Sequence, residues 1–102
     1  MIKLALFARL EAKPGKEAAV ADLLATGLAL ARQEAATPIW FALRLAPATF
    51  GVFDAFHDEA GRQAHLAGPI AQALVAKTPE LFNGPPSIEP IEVLGLKNTG
   101  AV

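Results

Sequence analysis

The sequence predicts a single α+β domain with its elements in the order βαββαβ, and three observations predict it. The chain opens on an alternating apolar run. Two strand-like runs flank the short Ala46-Pro47-Ala48-Thr49 loop, and the spacers before and after that pair repeat apolar residues every three to four positions.

The first strand covers residues 2 to 12. Ile2, Leu4, Leu6, Ala8 and Leu10 share one face, and the other mixes Ala5 and Phe7 with Lys3, Arg9 and Glu11, which predicts only partial cover there. Pro14-Gly15 marks a turn, and Val20, Leu23, Leu24, Gly27, Leu28 and Ala31 then give an amphipathic helix to about Glu34. Gly27 on its apolar side costs about 1 kcal/mol against alanine, so close packing on the sheet is expected there. Ile39 to Leu45 is the second strand, with Ile39, Phe41, Leu43 and Leu45 on one face and Trp40, Ala42 and Arg44 on the other. The short loop after it predicts antiparallel pairing with Phe50 to Phe56.

Asp58 is a good N-cap for a second helix that presents Ala60, Ala64 and Ala67 on one side. Gly68-Pro69 breaks that helix, a further piece runs through Ile70, Ala73 and Leu74, and Thr78-Pro79-Glu80 caps a short additional turn. Ser87 to Lys97 is the fourth strand, with Ile91 and Val93 on one face and Leu94 and Leu96 on the other. Residues 98–102 read as a frayed C-terminal tail, leaving one domain over residues 1–97. Because crossovers are right-handed, this order gives a ferredoxin-like fold: a four-stranded antiparallel sheet with its helices on one face. The other face, with side chains such as Phe7 or Trp40, has nothing left in the chain to cover it. A homodimer formed face to face is the expected solution.

Composition narrows the function classes. The 102 residues are 53% apolar and 19% charged with a formal net charge of −1, which excludes a disordered segment and gives no basic stripe for nucleic acid. The absence of cysteine removes disulfides, thiolate nucleophiles and Cys-ligated metal sites. Arg9 and Glu11 interrupt the opening run before it can serve as a signal peptide, and no stretch reaches the roughly 20 apolar residues of a membrane span. A cytoplasmic location with no membrane partner is expected.

The first strand followed by Lys13-Pro14-Gly15-Lys16, the Glu34 to Phe41 segment, the strand-to-helix passage and Ala64-His65-Leu66-Ala67-Gly68-Pro69 together resemble the antibiotic biosynthesis monooxygenase family. The resemblance covers nearly the whole chain. It implies a dimeric α+β barrel that oxygenates a small aromatic or quinol-type substrate with dioxygen and no cofactor or metal. A deprotonated phenol or quinol can itself donate an electron to dioxygen, so such a protein needs an apolar pocket, a proton acceptor and donors for the substrate oxyanion. The sequence also departs from the family. Ile70 and Ala35-Ala36 stand where many relatives have a second histidine and a Pro-Gly pair. Phe56 and approximately Val75 stand where the haem-degrading relatives have a tryptophan and a histidine. The other reading is a non-catalytic homodimer of the same fold that binds a small ligand or serves a stress-related role.

His65 matches the family's helix histidine and titrates near neutrality when unperturbed, although helical spacing sets it with Arg62, off the alanine stripe. Asp54 shares a face with Val52 and Phe56; it is either a desolvated base or one half of a buried ion pair with Arg44 or Arg9. His65 and Asp54 are therefore the candidate acid/base groups. Trp40, Arg44, Phe53 and Phe56 are the candidate substrate-binding residues, Trp40 by stacking and Arg44 by orienting a phenolate or carboxylate. His57 with Asp54 and Asp58 lacks metal-ligand spacing, and Asp58 is better explained as a cap.

Overall fold

In a computed structural model, which describes residues 1–97, seven elements follow in order. They are β1 (Leu4–Glu11), α1 (Glu17–Ala31), β2 (Ile39–Ala46), β3 (Thr49–Phe56), α2 (Glu59–Leu66), α3 (Pro69–Leu81) and β4 (Ser87–Glu92). The strands form one antiparallel sheet in the order β2-β3-β1-β4. This is the ferredoxin-like arrangement, with α2 and α3 together filling the place of the second helix. The expected tail lies outside the described residues.

Local chemistry sets the boundaries. Lys16 N–H donates to the Lys13 carbonyl across Pro14-Gly15 at 2.9 Å, and Gly15 has φ +82°, the left-handed position that a type II turn reserves for glycine. The helix α1 closes at Ala31, three residues short of the expected Glu34. The chain there tightens into i to i+3 bonds, Gln33 to Leu30, Glu34 to Ala31 and Thr37 to Glu34, each 3.0 Å. Asp58 accepts a bond from Gly61 N–H at 2.8 Å and opens α2 as its N-cap, while Gly68-Pro69 ends α2 and starts α3 with proline in the first turn. No separate turn follows Thr78-Pro79. The proline sits in the last turn of α3 at the cost of one helical N–H donor, and α3 continues to Leu81.

The strand β4 is shorter than the Ser87 to Lys97 expected. Leu4 pairs with Glu92 and Val93 N–H reaches the Lys3 carbonyl at 2.8 Å; beyond that β1 offers no further partner, and Leu94 is exposed.

Register decides the faces. Leu6, Ala8 and Leu10 lie opposite Asp54, Val52 and Phe50, which in turn lie opposite Trp40, Ala42 and Arg44. This face is the helix-covered one, and its core gathers Leu10, Val20, Leu24, Phe50, Val52, Ile70, Leu81 and Phe82. Trp40 is therefore not on the uncovered face. Its ring packs under α1, 3.4 Å from where a Cβ on Gly27 would stand, so the close approach expected at Gly27 is made by tryptophan. The opposite face carries Phe7, Phe53 and Phe41. Phe41 is 55% exposed, with its ring centroid 6.4 Å from that of Phe53.

Candidate functional site

Asp54 projects from β3 toward the helices and is 2% exposed. Its Oδ2 lies 2.7 Å from His65 Nε2, and His65 Nδ1 lies 2.7 Å from Glu34 Oε1. Thr37 Oγ1 donates to the same Glu34 oxygen at 3.0 Å. One imidazole is thus held between two carboxylates, one on β3 and one in the tightened turn after α1. The Phe56 ring stands 5.5 Å from the imidazole, tilted by 45°.

The helix α2 buries the side that carries His65, not the alanine stripe. Its buried residues are Gly61 and His65, four apart, and Ala60, Ala64 and Ala67 are exposed. The reason is Gly61: a Cβ there would stand 3.0 Å from the Ala36 carbonyl oxygen. Any side chain there would press the loop after α1 back by a few tenths of an ångström, and that close approach sets Glu34 against His65. The Asp54 partner is likewise a histidine. Arg44 instead lies with its guanidinium 4.6 Å over the Phe50 ring and donates to the Pro47 carbonyl at 2.8 Å, and Arg9 is paired with Glu11.

Burial alone would pull the His65 pKa down. Its hydrogen bonds to Asp54 and Glu34, reinforced by their charges, outweigh that effect and hold the imidazole above its ordinary value. The protonated ring can donate from both nitrogens at once, which the neutral ring cannot. Asp54 Oδ1, Glu34 Oε2 and Trp40 Nε1 are buried with no hydrogen-bond partner among the described residues.

Asp54 and His65 line a cavity of about 270 Å³. Leu6, Ala8 and Val52 supply its sheet side, Ile70 and Leu74 its helical wall, and Val75, Pro85, Pro86 and Ile88 complete it. Of the six residues expected at the site, the structure brings Asp54 and His65 together at this cavity. The four expected substrate contacts do not line it: Trp40 borders a separate space of about 60 Å³ under α1, Arg44 lies over Phe50, Phe53 is on the uncovered face, and Phe56 is buried beside His65. The lining is aliphatic. Glu34 was missed as a partner because it lies in a turn, where no period assigns a direction. Among the described residues no group of three or more His, Cys, Asp or Glu side chains could hold a metal ion; the two nitrogens of His65 face opposite carboxylates instead of converging.

No family model and no curated protein matches this chain. Solved structures do. NE2512, a protein of unknown function from Nitrosomonas europaea, is 60% identical, with 99% of this chain and 98% of that one covered at a TM-score of 0.95. This chain belongs to the NE2512 family. The same fold recurs at lower identity in two proteins described as "putative antibiotic biosynthesis monooxygenase". One, from Deinococcus radiodurans, is 21% identical over 93% of this chain and 96% of its own, with a TM-score of 0.77. The other, from Nitrosomonas europaea, is 14% identical over 90% of each chain, with a TM-score of 0.79. These two likenesses establish the shared fold. No helix among the described residues is long and apolar enough to cross a membrane.

Proposed function

We propose that the protein is a cytoplasmic, homodimeric monooxygenase that oxidises a small aromatic or quinol-type substrate with dioxygen and without a cofactor. The observation that carries this reading is the aliphatic cavity lined by Asp54 and His65, with Glu34 on the far side of the imidazole. The fold relationship to monooxygenase-described proteins supports it, and since one fold hosts many activities the site carries the greater weight.

Asp54 is the base. A substrate hydroxyl entering the cavity gives its proton to the carboxylate, and the resulting anion is the electron donor to dioxygen. The imidazolium behind Asp54 keeps the carboxylate oriented and places a positive charge near the developing oxyanion. The charge inside the cavity does not change in that step, because the proton neutralises one carboxylate while the substrate becomes an anion. In the completed reaction the substrate loses two hydrogens and gains one oxygen atom. The second oxygen leaves with those hydrogens as water, so the substrate supplies all four electrons. The sheet face around Phe7, Phe41 and Phe53, which no element among the described residues covers, supports the homodimer.

The test is oxygen uptake with a panel of quinols and anthrones, comparing the wild type with Asp54→Asn and His65→Ala. Uptake well above buffer in the wild type, with a loss of at least about 100-fold in Asp54→Asn, is expected for a positioned base. Equal uptake by all three proteins would remove Asp54 and His65 from the chemistry. Binding of a quinol with no uptake would leave the cavity as a ligand-carrying site.

A further inference from the structure

The two ends of the cavity differ in charge. At the inner end, Asp54 and His65 are 2% and 6% exposed, and Glu34 completes a chain of two carboxylates about one imidazolium, a formal surplus of one negative charge. Among the described residues no lysine or arginine lines the cavity. Arg44 is turned over Phe50, and Arg62 is paired with Glu59. Val75 and Ile88, at 67% and 48% exposure, mark the mouth as apolar and open to solvent.

We propose that the cavity takes uncharged aromatic alcohols hydroxyl-first, with the O–H donated to the Asp54 carboxylate, and that it excludes fixed negative charge from its inner end. The inference rests on the reading of the cavity as a site for aromatic hydroxyl compounds, but not on their oxygenation. The Asp54 carboxylate has acceptor capacity to spare, for Oδ1 has no hydrogen-bond partner among the described residues while Oδ2 faces His65. A hydroxyl brings one donor and no charge. A carboxylate in the same place would set acceptor against acceptor and like charge against like, where little solvent screens them. At the mouth the same carboxylate would be hydrated, so the selectivity belongs to the inner end and fixes the ligand's direction. The size follows too: apolar cavities of about 150 Å³ accept benzene, so a space of about 270 Å³ admits a two-ring aromatic.

The test uses the full chain at about pH 7 with a near-isosteric pair, 2-naphthol and 2-naphthoate, titrated by calorimetry. Because like-charge juxtaposition is costly, 2-naphthol is expected to bind on the order of 100-fold more tightly. Asp54→Asn, which removes the inner charge, brings the ratio below about 10-fold, and Glu34→Gln, one step further from the ligand, lowers it less. Nuclear Overhauser contacts from the naphthol protons beside the hydroxyl to the Leu6 methyls, and from the far ring to the Val75 and Ile88 methyls, report the direction of entry. Equal affinities in the wild type, a ratio unmoved by both variants, reversed contacts or no naphthol binding at all would each overturn the proposal. If Asp54→Asn does not fold, Glu34→Gln and the Overhauser contacts decide. Selective naphthol binding without any oxygen uptake keeps this inference and removes only the oxygenase reading; uptake by a protein that binds both ligands equally does the reverse.

Discussion

Replacing Glu34 with glutamine isolates one charge in the buried chain. The amide oxygen of the introduced side chain can still accept from His65 Nδ1 at the 2.7 Å separation that Glu34 has, so the geometry survives and the negative charge is lost. Hydrogen bonds to a charged partner contribute about 1.5–3 kcal/mol and neutral ones about 0.5–1.5 kcal/mol, a difference of roughly 1–1.5 kcal/mol. Glu34 is one of the two partners that hold the charged ring, so the His65 pKa falls in Glu34→Gln. The sign for stability follows. His65 has a folded-state pKa raised above its unfolded value, so its contribution is fully present below about pH 6.5 and is lost as the pH rises through the folded pKa. In Glu34→Gln that loss is complete at a lower pH. The assay is a proton NMR titration of the His65 Cε1–H in both proteins, paired with urea unfolding at several pH values. An unchanged midpoint in the variant would refute the reasoning, because it would mean that Glu34 does not stabilise the charged ring.

Three further outcomes are expected. His65→Ala leaves Asp54 buried without its cationic partner and destabilises the fold by about 3–5 kcal/mol in urea unfolding; a loss under about 1 kcal/mol would show that the pair adds little. Gly61→Ala drives a Cβ to 3.0 Å from the Ala36 carbonyl and costs about 1–3 kcal/mol. It also shifts the His65 ring resonances, whereas a purely local clash would leave those resonances in place. Phe41→Asp, on the uncovered face, converts a dimer into a monomer by light scattering at micromolar concentration, and a wild type that is already monomeric would end the dimer reading.

The fold was legible because it depends on period and punctuation: alternation in β1, the turn at Pro14-Gly15, the hairpin after β2 and the helix break at Gly68-Pro69. Face assignment was harder. On β2 both faces are rich in apolar groups, and alternation says which residues share a face but not which face the helices cover. The usable signal was Gly27, whose missing side chain makes room for the Trp40 ring. The placement of Asp54 among Val52 and Phe56 was correct, yet its partner was sought among arginines and proved to be His65. The alanines of α2 share one side, as expected, but that side is exposed, because this helix docks through Gly61 and His65. Glu34 and the mouth of the cavity lie in turns and loops, whose directions are set by tertiary packing alone.

The chain Glu34–His65–Asp54 has a consequence for the order in which the molecule assembles. Its links span 31 residues between Glu34 and His65 and 11 between His65 and Asp54, and they tie the loop after α1, the end of α2 and β3. No two consecutive elements can form the site by themselves. Detachment of any one of the three segments returns the imidazole toward the titration of an unfolded chain. The protonation of His65 is thus a built-in gauge of whether both halves of the domain have docked, readable in the native protein without any added label.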